Sequence, residues 1–470
     1  MQFKYPLSQT LSNFYENYLL AGILGTLLAT TILFSNLIPP FQSPDEFEHI
    51  KRAYLLSTGD IVLKTSGAES SGGQINVGLL SYIKHYEQYP FKPLKKITAK
   101  DTEFAKQIGW GSTSAFSPVY AFASYFPGLY APQSIGLYLG KTFNFSVADS
   151  YQLARILAVL SSFSLITLGC LIFRPSLLVL AILFMPMSLY QLSSASLDGL
   201  ATASFILILS IFFHTVKLGE QSKGWLAIPF GIFIFLLAAS RAHALPVILL
   251  IFYSAYLTKN KKYLFAGIIS ALFIGLWLYI SIKTTVDRRV VNTVLPAEIL
   301  SYYATNILSF FKVTIATLSH PDYSLFYFKS LLGNLGWADW PEGQFSLSTY
   351  YLLASLIIII GISCTAAIDL KNEIFTRTLL FVSALISTLI IFLALLVTWT
   401  THPAILIEGV QGRYFHFPLL FLAYAITTIK TPTSFFKTIF SSLLFICYSL
   451  YSILITVNLL LSRYYFSAGN

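Results

Sequence analysis

The stretch YLLAGILGTLLATTILFSNL, Tyr18–Leu37, holds no charged residue over its whole length. A helix rises 1.5 Å per residue, so about 20 apolar residues cross a hydrocarbon core of roughly 30 Å. A second such run, LLFVSALISTLIIFLALLV, occupies Leu379–Val397. Transmembrane barrels show alternating segments of about ten residues, whereas these runs are continuously apolar, so helices must satisfy the backbone inside the lipid. The fold class that follows is all-α: a polytopic transmembrane helical protein forming one integral membrane domain over residues 1–470.

Composition agrees. Of the 470 residues, 56% are hydrophobic and only 11% charged, against roughly 25% charged in ordinary soluble domains. The formal net charge of +10 raises nucleic acid as a partner, but the Lys and Arg residues fall in short patches between apolar runs, and no nucleic-acid binding is expected. Cys170, Cys364 and Cys447 each lie within an apolar run, without a CxxC pair, and read as packing residues. His85, His320 and His402 are isolated, so no metal is indicated, although a divalent ion is compatible with the acidic residues described below. Neither a phosphate-binding P-loop nor a dinucleotide fingerprint is present. The first apolar run ends in Leu37-Ile38-Pro39-Pro40-Phe41 and lacks a small-residue cleavage site, so it reads as a retained span.

About eleven spans are expected, near 17–38, 149–171, 175–192, 197–214, 225–240, 243–258, 263–282, 348–368, 377–399, 414–430 and 437–460. With a cytoplasmic N-terminus, the inside loops hold Arg174, then Lys217 and Lys223, Lys259 with Lys261 and Lys262, Lys371 and Arg377, and Lys430 and Lys437. That arrangement obeys the positive-inside rule. Residues 117–140 are interrupted by Pro118, Pro127 and Pro132 and are read as interfacial or re-entrant helices, since proline removes a backbone donor and bends a helix. Two large extracytoplasmic segments result, 39–148 and 283–347. The basic stretch Lys92–Lys106 in the first reads as a solvated loop surface, with a seat for an anionic acceptor as the alternative.

The unusual polar residues then converge on the outer interface: Ser43-Pro44-Asp45-Glu46-Phe47-Glu48-His49, Asp198, Ser240-Arg241-Ala242-His243, Gly336-Trp337-Ala338-Asp339-Trp340, and Glu408-Gly409-Val410-Gln411-Gly412-Arg413-Tyr414. Ser43-Pro44-Asp45-Glu46 reads as a helix start, with Ser43 as N-cap, Pro44 in the first turn and Glu46 reaching back. Helical spacing would place Asp45 with His49, and Glu48 with Arg52, on shared faces. A carboxylate inside hydrocarbon is costly, so Asp198 is expected to face protein or a cavity. Arg241 and Arg413 either snorkel to headgroups or hold a phosphate through the guanidinium fork.

Pro44-Asp45-Glu46-x-x-His49-x-x-Arg52-Ala53, Ser196-x-Asp198, Leu335-Gly336-Trp337 and Gly409-Val410-Gln411-Gly412-Arg413-Tyr414 resemble, in order and spacing, the predicted bacterial membrane proteins called domain of unknown function 2142. That family in turn resembles the GT-C glycosyltransferase superfamily. The resemblance implies a GT-C-like fold in the bacterial cytoplasmic membrane and transfer of a sugar from a polyprenyl-phosphate donor to a cell-surface polysaccharide or glycolipid on the outer side. It also implies an acidic residue of the first outer loop as catalytic base or metal contact; the matching position is Asp45, with Glu46 beside it. His49, Arg52, Asp198, Arg241, Trp337, Gln411, Arg413 and Tyr414 are the expected substrate-binding residues. A lipid-linked sugar flippase and a non-catalytic envelope-assembly protein are the alternatives; the first would want inverted repeats and midplane polar groups.

Overall fold

The computed structural model describes residues 7–289, 296–337, 344–364, 370–426 and 435–466, with backbone alone for 7–16, 370–372, 435 and 436. Ala338, Asp339 and Trp340 of the tryptophan motif, and Lys430 of the basic patches, lie outside the described residues, as does the Lys371 side chain.

Helix α1 (Leu7–Leu37) runs into Pro39-Pro40, where the missing donors stop it. The excursion that follows carries α2 (Glu46–Ser57), strand β1 (Gly72–Asn76), α3 (Val77–Tyr86), α4 (Ala99–Lys106), strand β2 (Ser114–Pro118) and α5 (Ala131–Thr142). The strands pair antiparallel, with Gly72 opposite Pro118 and Asn76 opposite Ser114. Next come α6 (Val147–Ile172), α7 (Leu177–Leu183), α8 (Pro186–Leu192), α9 (Asp198–Leu218), α10 (Ala227–Ala238), α11 (Val247–Thr258) and α12 (Lys261–Thr284). A second excursion contributes α13 (Pro296–Thr305), α14 (Ile307–Ser319) and α15 (Pro321–Leu332). Four more helices follow, α16 (Leu347–Cys364), α17 (Leu370–Thr398), α18 (His416–Ala425) and α19 (Phe435–Tyr464).

The protein is therefore an all-α polytopic membrane protein. Among the described residues seven helices, α1, α6, α9, α12, α16, α17 and α19, are long and apolar enough to cross a bilayer. The other four expected spans are shorter. Those at 225–240 and 243–258 are apolar helices over Gly224–Ala238 and Ala242–Thr258, and that at 414–430 is α18, described only to residue 426. The one at 175–192 is broken: Met185 precedes Pro186 and takes ψ 143°, the extended conformation that a following proline imposes, so α7 and α8 replace one helix. Residues 117–140 contain β2, two short 3₁₀ turns and the 12-residue α5, which is too short to span.

Helix α9 is the most enclosed of the long helices, with 89% of its apolar window buried. Small residues permit this closeness, because packing in lipid depends on backbone approach more than on expulsion of water. A Cβ on Gly169 of α6 would stand 3.2 Å from Ser210 Oγ and 3.4 Å from the Leu207 Cα on α9.

One face of the bundle gathers both excursions. Tyr465 Oη donates to the Leu37 carbonyl at 3.0 Å, which brings the ends of α19 and α1 together. Arg155 near the start of α6 donates to the Ser35, Ile38 and Pro39 carbonyls, caring for acceptors that a helix end leaves open. Ser71 beside β1 receives the Val286 N–H at 2.9 Å just after α12. At the far ends, Arg174 donates to Asn17 Oδ1 and Lys259 pairs with Glu220.

Candidate functional site

The site face is assembled by α2 and the turn before it. Sequence spacing expected that helix to begin at Pro44 with Ser43 as N-cap. It begins at Glu46 instead, and Asp45 is the N-cap residue at φ 62° and ψ 7°. This left-handed conformation is uncommon for a residue with a side chain, and Asp tolerates it better than most. It points the Asp45 carboxylate at Arg413, whose Nη2 donates to Oδ2 at 2.5 Å while its Nη1 donates to the Pro44 carbonyl at 3.4 Å. Half of the expected reciprocal cap persists, since the Ser43 N–H donates to Glu46 Oε2 at 3.3 Å.

Glu46 is fully buried and engaged in support of the fold. Its Oε1 accepts from Tyr151 Oη at 2.8 Å, Arg155 Nη2 at 3.3 Å and the Ala195 N–H at 2.6 Å. Ala195 belongs to the unwound link between α8 and α9. Non-helical backbone at membrane depth persists where protein satisfies its polar groups. Glu46 serves the Ala195 N–H, and Gln133 Nε2 donates to the Ser196 carbonyl at 3.1 Å. The link in turn delivers Asp198 at the start of α9.

Asp198 binds two arginines. Arg241 Nη2 donates to its Oδ1, Arg413 Nη1 lies 3.7 Å from Oδ2, and Gln191 Nε2 donates to Oδ2 at 3.4 Å. Arg413 therefore bridges Asp45 and Asp198, and four residues from four separate segments form one chain of alternating charge, Asp45–Arg413–Asp198–Arg241. The arginine side chains are 4% and 9% exposed, Asp198 14% and Asp45 28%, so Asp45 is the member that reaches solvent. Arg241 also donates to Tyr125 Oη at 3.2 Å with its guanidinium 5.0 Å from that ring. Burial alone would lower the affinity of both guanidinium groups for their protons; the adjacent carboxylates and phenols reverse the effect and hold them firmly charged.

Gly412 explains how Arg413 is placed. A Cβ there would stand 2.1 Å from the Tyr327 carbonyl oxygen and 2.2 Å from the Leu331 nitrogen, so only glycine lets this turn press against α15. Its N–H donates to Ser330 Oγ at 2.8 Å. Tyr414 lies beside the Arg413 guanidinium at 5.3 Å and lines a cavity with Gln191, Asp198, Thr202, Arg241 and His416. That cavity measures about 20 Å³, room for one water molecule.

The remaining expected residues take other parts. His49 does not meet Asp45 across a helix face; its Nδ1 is 2.7 Å from Tyr130 Oη. Burial pushes its pKa down to about 3, with Asp198 and Asp45 opposing the shift, so it is neutral. Arg52 does not pair with Glu48. It donates to the Asp60, Ile61 and Tyr125 carbonyls at 3.0, 2.6 and 3.3 Å, a clamp on the loop after α2, while Glu48 pairs with Lys51 at 2.9 Å. Trp337 donates to the Phe41 carbonyl at 3.1 Å and packs on Phe47 at 5.2 Å. Gln411 enters through its carbonyl, which accepts the Tyr414 N–H at 3.1 Å. Arg155, Gln191 and His416 escaped the sequence reading because each sits inside an apolar run, where one polar residue has no motif to mark it. The signal available for Arg155 was its charge within a span. Among the described residues no group of three His, Cys, Asp or Glu side chains is placed to hold a metal ion.

A family model described as a predicted membrane protein, DUF2142, matches residues 28–423. The chain belongs to the DUF2142 family. The match takes in every member of the charge chain, from Asp45 to Arg413. No curated protein matches the sequence.

Proposed function

We propose that this DUF2142 protein is a membrane glycosyltransferase of the GT-C type, moving a sugar from a polyprenyl phosphate to a hydroxyl of a surface polysaccharide or glycolipid at the extracytoplasmic face. The observation that carries the reading is the charge chain Asp45–Arg413–Asp198–Arg241, in which a solvent-reaching carboxylate shares a guanidinium with a buried one.

The chemistry is a displacement. The acceptor oxygen attacks the anomeric carbon, the bond from that carbon to the phosphate oxygen breaks with its electron pair leaving on phosphate, and the hydroxyl proton passes to Asp45. Arg413 engages Oδ2 of Asp45 and leaves Oδ1 for the hydroxyl. Charge supports this role. Two carboxylates and two guanidinium groups sum to zero, and protonation of Asp45 makes the cluster net positive just as the departing phosphate becomes more negative. Fixed cations placed where charge develops stabilise a transition state without reorganising. The cavity is too small for a phosphate, so the donor enters as Arg413 trades its looser contact, to Asp198 at 3.7 Å, for a phosphate oxygen. Glu46 is a positioning residue in this scheme, since its carboxylate is buried among Arg155, Tyr151 and the Ala195 N–H. The lipid tail gives the reaction its reason to be in a bilayer.

The test is Asp45→Asn in a strain profiled for surface glycan composition, with protein level followed in parallel. Loss of one sugar at normal protein level is expected, with transfer slowed about 10²–10⁴-fold, the usual contribution of a positioned base. An unchanged glycan would end the assignment of Asp45.

A further inference from the structure

Beside Asp45, and outside the charge chain, four distant segments meet. Arg289 follows α12, and its guanidinium grips the Asp287 carboxylate, Nε to Oδ1 at 3.1 Å and Nη2 to Oδ2 at 2.7 Å. It lies 4.5 Å from the centre of the Tyr120 ring and 5.0 Å from that of Trp399, at the end of α17. Lys51 on α2 stands 5.9 Å from the same tyrosine ring and donates to Glu48 Oε1 at 2.9 Å. The other carboxylate oxygen, Glu48 Oε2, is buried without a hydrogen-bond partner. Trp399 is 36% exposed. Its seat is Gly409, at φ 76°, where a Cβ would come within 2.3 Å of Trp399 Cδ1. The Glu48 N–H donates to the Asp45 carbonyl at 2.9 Å, which ties the cluster to the turn that carries the proposed base.

We propose that Glu48, Tyr120, Arg289 and Trp399 form a subsite for an uncharged pyranose ring; that this ring belongs to the acceptor rests on the transferase reading. An unpartnered buried carboxylate oxygen calls for a donor, and a sugar hydroxyl is one. An exposed indole offers a broad, rigid apolar surface with a polar edge, which suits the C–H face of a pyranose. Charge selects against an anion: Lys51 and Arg289 are matched by Glu48 and Asp287, each cation already holding its carboxylate. The Arg289 guanidinium, fixed by Asp287 and flanked by two rings, is a rigid wall of the subsite.

The experiment is saturation-transfer NMR on the full chain in phosphatidylglycerol–phosphatidylethanolamine nanodiscs, with the methyl glycosides of glucose, galactose, mannose and N-acetylglucosamine as probes. At least one glycoside receives saturation at its ring protons. Trp399→Ala and Glu48→Ala each weaken that binding about fivefold or more, and Trp399→Phe keeps most of it. Thermal midpoints of the variants confirm that they are folded. Failure of all four glycosides to bind the parent protein, binding by folded Trp399→Ala within twofold of the parent, or displacement of the glycoside by millimolar inorganic phosphate would each overturn the proposal. The two readings separate cleanly. If Asp45→Asn leaves the surface glycan unchanged while Trp399→Ala loses glycoside binding, the transferase assignment falls and the sugar subsite stands; the opposite pattern removes the subsite and keeps the transferase.

Discussion

Arg413 has two carboxylates to hold, and a lysine could serve only one of them well. The planar fork directs Nη2 to Asp45 and Nη1 toward Asp198, a geometry that an ammonium point charge does not reproduce. Arg413→Lys is therefore expected to keep the protein in the membrane and slow transfer about 10²–10³-fold, as removal of one well-placed charge stabiliser does elsewhere; turnover of lipid-linked sugar by the purified variant checks this. Glu46 and Arg155 make the opposite prediction. Each is the buried counter-charge of the other, and removing one partner of such a pair costs about 3–5 kcal/mol. Arg155→Met should accordingly lower the thermal midpoint in detergent and the amount of folded protein, and a variant as stable as the parent would refute the supporting role. His49 supplies a pH signature. Its pKa is about 3 in the folded chain against roughly 6.5 when exposed, so above pH 6.5 both states are neutral and the residue has no effect. Below that the unfolded chain takes up a proton that the folded chain refuses, and stability falls by up to about 1.4 kcal/mol per pH unit until the folded pKa is reached. Unfolding midpoints between pH 7.5 and 4.5 should fall less steeply for His49→Asn than for the parent.

At the scale of elements, the helices were legible where length and apolarity act alone and less so where tertiary partners rewrite local rules. Tyr18–Leu37 and Leu379–Val397 needed no context, because a bilayer demands their length. The start of α2 did need context: Ser43-Pro44-Asp45-Glu46 carries the signature of a helix cap, yet Glu46 is drawn onto Arg155 and the Ala195 N–H, and the helix starts two residues late with Asp45 turned left-handed. The β1–β2 pair escaped notice because Gly72–Asn76 and Ser114–Pro118 lie 38 residues apart at their nearest ends and neither alternates strongly. Of the site, the Asp45, Asp198, Arg241 and Arg413 positions could be read from charge at span ends. Their partners Gln191 and His416 could not, being polar residues within apolar runs. The turn before α18 allows a direct test. Gly412→Ala puts a methyl against the backbone of α15, and the forced shift should cost about 1–3 kcal/mol and drag Arg413 away from Asp45, so that activity falls further than stability alone accounts for. A variant with parental turnover would mean that α15 yields without moving the arginine.

For the whole molecule, the sequence supplied two faces and a sign, and the structure supplies the grouping: the ends of α1, α17 and α19, the beginnings of α6 and α9, and both excursions share one side. The proposed topology, which follows the lysine pattern, puts that side outside. In a chain with Cys170, Cys364 and Cys447 replaced, a cysteine at Leu94, which is 89% exposed, should react in intact cells with a membrane-impermeant maleimide, whereas one at Lys259 should react only after lysis; the reverse pattern would invert the topology and relocate the site. The bridge between Asp45 and Arg413 joins residues 368 positions apart, and that span has a temporal meaning. At roughly 5–20 residues per second of synthesis, the acid waits on the order of 20–70 s for its guanidinium to be made and inserted. Until then Asp198 and Arg241 can find each other but the outermost carboxylate has no counter-charge. In the proposed chemistry, base and guanidinium therefore meet only after α17 and the turn before α18 have been made.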